Sequence, residues 1–157
     1  MKNIKIMMFL IAALAILIVP ANAAIIVNES FPTSLSVFVP CAAGGAGEIV
    51  DLSGPLHLLV EFTINGNNFS AVIHEQPQGI TGTGETTGLS YQETGFVTHA
   101  FGGSLQNGEF HHTMVDTFNI IGQGPNNNFL MHETEHITIN ANGTVTVNFD
   151  NVSIECN

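Results

Sequence analysis

Basic residues are almost absent from this chain. Lys2 and Lys5 are its only lysine or arginine residues, whereas aspartate and glutamate together number thirteen. Contacts to the phosphates of nucleic acids and attraction to anionic lipid headgroups both need lysine or arginine. The chain after residue 5 therefore predicts no nucleic-acid partner and no electrostatic attachment to a membrane. Its acidic composition favours cations, neutral sugars or apolar molecules as partners, or no ligand at all.

Long apolar runs are also scarce, and the longest lies near the N-terminus. Ile6–Val19 follows the two lysines and precedes the small residues Ala21 and Ala23, a pattern typical of a secretory signal peptide. A membrane-spanning helix needs about 20 apolar residues, so this run is short for that role. The sequence predicts a signal over 1–23, a single domain over 24–157, and export to the periplasm or the extracellular space. The residue directly after the cleavage site is Ala24 and not cysteine, so no lipid anchor is expected.

Cysteine is limited to Cys41 and Cys156. In an exported chain, two cysteines pair by default, since disulfides persist in oxidising compartments. Isolated cysteines lack the close spacing of zinc sites. We predict a Cys41–Cys156 disulfide, which would stabilise the fold by about 4–5 kcal/mol through the long loop that it closes.

Helical periodicity is missing after the signal, and alternation takes its place. One set of alternate apolar residues is even-numbered, and the next set is odd-numbered: Leu56, Leu58, Val60, Phe62 and Ile64, then Phe69, Ala71 and Ile73. Opposite parity requires an even-length turn, and Gly66-Asn67 supplies one. Residues 137–149 show a second hairpin, in which a three-residue loop over 141–143 pairs Ile139 with Val145 and Ile137 with Val147. A third long strand is predicted over 109–121. A bulge or bend is predicted near Asp150 and Asn151, because the last apolar residues have the opposite parity.

These strands indicate the fold class. Long consecutive hairpins predict an all-β antiparallel meander closed as a barrel of about eight strands, with a two-sheet β-sandwich as the alternative. The glycines of residues 77–95 fit turns and bulges, because their spacing matches no phosphate-binding loop and no lysine accompanies them.

One motif points to a different chemistry. His132, Glu133 and His136 match the H-E-x-x-H pattern of zinc proteases, in which a helix brings both imidazoles to one metal ion. The alternation after residue 136 predicts a strand instead. On a strand the two histidines would lie about 13 Å apart and could not share a metal.

The strand register also predicts a cluster of polar side chains. If Met131, Ile137 and Ile139 face the core, Glu133 and Glu135 do so as well, and His112 and Asp116 share the face of their own strand. Buried carboxylates need a partner, and this chain has no lysine or arginine to offer. We predict either a solvated strand end or a ligand site for a divalent cation, formed by the following residues: His112, Asp116, Glu133 and Glu135.

Several segments resemble a family of small exported bacterial all-β proteins of unassigned function. The resemblance covers about the last half of the chain and lies in Pro77–Gly84, Thr87–Tyr91, Ile120–Pro125, Asn128–His136 and Asn140–Gly143. At position 135 the family pattern leads one to expect an apolar or aromatic residue where this chain has Glu135. The resemblance implies export but supplies no activity and no residue roles.

Three classes of function fit the sequence. The first is a non-catalytic binding protein that holds a small apolar or neutral ligand inside the fold. The second is a divalent-metal-binding protein or hydrolase that uses the His and Glu residues of 132–136. The third is a structural or cell-surface interaction protein. The sequence offers no nucleophile with a base at a suitable spacing, which favours the non-catalytic classes.

Overall fold

The computed structural model describes residues 22–157. The predicted signal, 1–23, lies outside this range apart from its last two positions, where the backbone already belongs to the first strand. Its removal therefore stays a prediction. Within 22–157 the structure contains no helix with the length and apolarity that crossing a membrane requires.

Eight strands and one helical turn, α1, make up the fold. In chain order they are β1 (Asn22–Val39), α1 (Ala42–Gly45), β2 (Glu48–Asn65), β3 (Asn68–Pro77), β4 (Thr81–Gly84), β5 (Ser90–Ser104), β6 (Phe110–Gly122), β7 (Phe129–Ile139) and β8 (Val145–Cys156). All strand pairs are antiparallel and belong to one sheet. The all-β antiparallel prediction is confirmed.

The strands follow one another as a meander. Their order in the sheet is β1-β2-β3-β5-β6-β7-β8, and β4 pairs with β2 and β5. Pro77 of β3 pairs with Leu56, and Thr81 of β4 pairs with Ser53, so β4 continues the line of β3 after one extra residue. This is a β-bulge, and it occurs in the glycine-containing segment where bulges were predicted.

The two edge strands of the sheet are β1 and β8, and a disulfide ties them together at one end. Cys41 follows β1, Cys156 ends β8, and their Cα atoms are 5.5 Å apart in the bridge. The predicted disulfide is confirmed. The sheet is thus a partly closed ring, an architecture that fits both the barrel and the sandwich alternatives.

Pro32 lies in β1, at the edge position that a strand proline favours.

Alternation along the strands divides the sheet into two faces, and one of them carries the core. The inner face, as we call it, is the face of Val50, Leu52, Tyr91 and Ile120. The buried apolar cluster lies at the disulfide end of the sheet, and its members are Val39, Cys41, Ala42, Val50, Leu52, Ile80, Tyr91, Ile120 and Phe129. Burial of these side chains is the main stabilising contribution at that end.

The first predicted hairpin has the expected register. Val60 pairs with Ile73 and Ile64 with Phe69, across a turn at 66–67. Gly66 has φ 60°, a left-handed conformation that glycine adopts without steric cost.

The second hairpin is only partly as expected. Ile139 pairs with Val145 around the three-residue loop, but a bulge beside Ile139 pairs Val147 with Thr138 and Ile137 with Asn148. The predicted Ile137–Val147 pair is therefore wrong, and the register shows no shift near Asp150. As a result β8 presents apolar side chains on both faces of the sheet, and Phe149 and Ile154 are exposed.

Candidate functional site

A cavity opens on the inner face, next to the buried core. Its volume is about 200 Å³. Its walls come from β1, β2, the β3–β4 line, β5 and β6, which the meander places side by side. Five neighbouring segments of the sheet therefore each contribute side chains to one pocket.

Most of the wall is apolar. Five apolar residues of the wall point to the inner face by alternation, and Ile80, just before β4, and Phe96 complete the wall. The five are Leu35, Leu56, Pro77, Val97 and Phe118. Phe118 packs edge-on against the buried Phe129, with ring centroids 6.3 Å apart, which holds its ring in place. A wall of this kind suits a ligand with an apolar body.

Glu93 is the most unusual residue of the cavity. Only 7% of its surface is exposed, and its Oε2 atom has no hydrogen-bond partner among residues 22–157. Burial, and then the nearby charge of Asp116, raise the pKa of the Glu93 carboxyl. An uncompensated carboxylate in such a position is costly, so this group would gain from a donor that enters the cavity.

Asp116 is the second carboxylate of the cavity with a buried oxygen that lacks a partner, here Oδ1. Burial raises its pKa most, and Glu133 and Glu75 add to the rise, whereas His99 and His132 oppose it. Asp116 pairs with Glu133 on one side, and on the other with Val97, which in turn pairs with Glu75. Three acidic side chains thus lie in one row across the sheet.

Gly95 separates the two carboxylates. It lies between Glu93 and Val97 on the inner face of β5 and pairs with Phe118 of β6. Its φ of 123° is a conformation that side-chain-bearing residues rarely adopt, and an added Cβ would collide with the carbonyl oxygen of Thr117. The missing side chain lets the backbones of β5 and β6 approach closely between Glu93 and Asp116.

Glu48 shows how this fold treats a buried carboxylate that needs no ligand. It is 2% exposed, and the backbone N–H groups of Thr86 and Thr87 donate to its Oε2 at 3.1 and 2.9 Å. The Thr87 hydroxyl donates to Oε1 at 2.7 Å, and Tyr91 adds a fourth bond. Burial alone raises the pKa of Glu48, but these bonds outweigh it, so the pKa is lowered. Glu48 is satisfied by the protein itself, whereas Glu93 is not.

The four residues predicted as a cation site share the inner face, as their register required, but they do not all meet. Asp116 and Glu133 are direct partners across β6 and β7. Glu135 is opposite Met114 and Asp150. His112 stacks on Phe101 with ring centroids 4.5 Å apart, and its Nε2 lies 3.3 Å from Nδ1 of His99. On one strand, residues 112 and 116 are separated by about 13 Å.

A metal centre is not preformed in the part of the chain that the structure covers. Residues 22–157 contain no group of three or more His, Cys, Asp or Glu side chains arranged to hold a metal ion. Ca²⁺ takes six to eight oxygen ligands and Zn²⁺ takes four ligands. The Asp116–Glu133 pair alone would supply too few, so the predicted divalent-cation site stays a prediction.

The H-E-x-x-H residues lie in the middle of β7, as the alternation predicted. His132 Nδ1 is 3.2 Å from the Thr117 hydroxyl, and His136 Nδ1 is 2.7 Å from the Thr113 hydroxyl. These cross-strand pairs lie on the outer face, away from Glu133. The helical geometry on which the zinc-protease motif depends is therefore replaced by a strand.

Glu93 was not among the residues singled out from the sequence. One signal was available in the sequence. Glu93 is odd-numbered, as are Tyr91 and Val97 of the same strand, and residues of equal parity on a strand point to the same face. That signal gives the direction of the side chain but not its burial.

Comparison with models of protein families, with curated proteins and with solved structures finds no match to this chain.

Proposed function

We propose that this protein is an exported, non-catalytic binding protein that holds a small molecule with an apolar body in the inner-face cavity. The observation that supports this most is the cavity itself, in which five strands of one sheet contribute to a mostly apolar wall. Ligand sites in small β-proteins are commonly built from the inner side chains of a curved sheet.

Export and ring closure belong to the same proposal. The Cys41–Cys156 bridge is the kind of bond that persists outside the reducing cytosol, which supports a periplasmic or extracellular location. A single meander that contains every strand favours an incompletely closed barrel over two separate sheets. A ligand on the inner face would then be enclosed from several sides.

Native mass spectrometry of the protein purified from its own host tests the proposal. We expect a small-molecule adduct that is lost when Val97→Phe fills the cavity. Val115→Phe is the matched control, because Val115 is exposed and follows Met114 and precedes Asp116, so it points to the outer face. An adduct retained equally by both variants, or a protein without any adduct, would contradict the proposed function.

A further inference from the structure

We propose that the ligand of the inner-face cavity is an organic ammonium ion, a small molecule with an apolar body and a positively charged amine that Glu93 binds, with Asp116 adding negative charge to the same cavity. This inference rests on the proposed function and specifies its ligand class.

The charge of the cavity is the first reason. Three carboxyl groups line it, from Glu75, Glu93 and Asp116, and the chain from residue 22 onward contains no lysine or arginine to pair with them. The groups that oppose this charge at Asp116 are the imidazoles of His99 and His132 on the two neighbouring strands. Because buried carboxylates without a counter-charge are costly, a cation that enters the cavity would be strongly favoured there.

Hydrogen bonding is the second reason. Glu93 is more than nine-tenths buried, and its Oε2, like Oδ1 of Asp116, accepts no bond from residues 22–157. An ionised carboxylate can only accept, so its partner must be a donor, and an ammonium group offers several N–H donors. Glu48 is buried to a similar degree and receives four donors from the protein. The fold thus satisfies one buried carboxylate completely and leaves the other open towards a cavity.

The chemistry of the wall distinguishes an organic cation from a metal ion. Leu35, Leu56, Ile80 and Phe118 provide no oxygen or nitrogen ligands, and a hydrated divalent cation would need oxygen atoms where these side chains lie. An alkyl or aryl group gains free energy from the same surface. The ring of Phe118 can also attract a cation directly. A single molecule with an apolar body and an ammonium group matches both parts of the cavity.

Isothermal titration calorimetry with two probes of nearly the same shape tests this inference. Benzylamine is cationic at neutral pH, and benzyl alcohol is its neutral counterpart, and both are titrated in an amine-free phosphate buffer. Hydrogen bonds to a charged group contribute about 1.5–3 kcal/mol, so we expect benzylamine to bind about 10- to 100-fold more tightly than benzyl alcohol. Glu93→Gln should remove most of this difference, because it removes the charge and keeps the shape of the side chain.

The control variant and the alternative outcomes make the test decisive. Glu61→Gln removes the same charge from an exposed side chain on the outer face and should leave both affinities unchanged. Equal binding of the two probes would overturn the ammonium inference and leave the proposed function standing. Binding of neither probe at millimolar concentration would count against both. Ca²⁺ or Zn²⁺ that binds in a Glu93-dependent way and displaces benzylamine would assign the cavity to a metal ion instead.

Discussion

The Tyr91 hydroxyl donates a hydrogen bond to Oε1 of Glu48 at 2.7 Å, in the buried core at the disulfide end of the sheet. The bond joins the beginning of β5 to the beginning of β2, two strands that β4 separates at this level. Burial first, and then Glu48, raise the pKa of Tyr91 to about 12, so the phenol stays protonated and remains a donor over the whole physiological range. Tyr91 therefore has a structural role beside its packing.

Tyr91→Phe should destabilise the fold. The substitution keeps the ring but removes one of four donors to a buried carboxylate, and a bond to a charged group contributes about 1.5–3 kcal/mol. Urea unfolding at neutral pH measures the loss. A variant as stable as the parent protein would show that the remaining Thr86 and Thr87 bonds satisfy Glu48 on their own.

The same carboxylate predicts a loss of stability in acid. The pKa of Glu48 is lower in the folded protein than its ordinary value of 4.5. The ionised form is thus favoured by folding, and its contribution is present above pH 4.5 and is lost as the pH falls through the folded-state pKa. Thermal unfolding of the parent protein and of Glu48→Gln should show a difference that shrinks as the pH falls through this window. A difference that does not depend on pH would contradict the role of the ionised carboxylate.

Glu93 predicts the opposite trend. Its pKa is raised, so the protonated form is favoured by folding, and stability is lost as the pH rises from 4.5 through the folded-state value. Asp116 is in turn affected by the carboxyls of Glu133 and Glu75 and by the imidazoles of His99 and His132. Glu93→Gln should match the parent protein at pH 4 and be more stable by about 1–3 kcal/mol at pH 7, since no charge is then buried. A variant less stable at pH 7 would mean that the Glu93 carboxylate has a partner in solution.

Much of the sheet could be derived from alternation alone, because a tight turn and a parity rule leave few registers open. The pairs of Val60 with Ile73 and of Ile64 with Phe69 follow from one two-residue turn. The bulge beside Ile139 could not be derived, since one extra residue leaves no mark on composition and reverses the face of every residue after it.

The cavity was harder to foresee than the strands. Thr86 and Thr87 donate hydrogen bonds to Glu48, and the charge of Asp116 acts on Glu93. These residues are far apart in the sequence, so the sequence alone does not show that they lie close together in the fold. Parity placed Asp116, Glu133 and Glu135 on one face of the sheet. It could not show that Glu93, on the strand at the other side of β6, is close enough to feel the charge of Asp116. Side-chain direction is a local property, whereas burial results from the whole sheet.

The predicted signal and the disulfide lead to expectations for the mature protein. Cleavage after Ala23 would remove both lysines, so trypsin should not cut the mature protein even after unfolding. Intact mass gives the cleavage site independently, and peptides produced by trypsin would indicate a retained signal.

Replacing Cys41 and Cys156 by serine should lower the free energy of unfolding by about 4–5 kcal/mol.

The zinc-protease motif predicts an activity that this fold should not have. With His132 and His136 bonded to threonines along a strand, Glu133→Gln should leave no peptidase activity to lose.

The double change of Glu133 and Glu135 to glutamine tests the divalent-cation prediction at the same position. Unchanged stability, pH dependence and divalent-ion binding would show that these two carboxylates form no cation site.

Gly95→Ala provides a test of the cavity that involves no charge. The backbone of residue 95 would be strained at φ 123°, and the new Cβ would collide with the carbonyl oxygen of Thr117. This collision would push β5 and β6 apart beside Glu93 and Asp116. Gly88→Ala is the control, because Gly88 has φ 69° but no atom lies within 4 Å of its added Cβ. Strained backbone costs about 1–3 kcal/mol, so both variants should be destabilised in urea unfolding, and Gly95→Ala should be destabilised more. It should also lose benzylamine binding, which Gly88→Ala should keep. Equal losses of stability and unchanged binding in both variants would show that binding does not depend on the close approach of β5 and β6 at Gly95, and the binding site would then have to be placed elsewhere on the inner face.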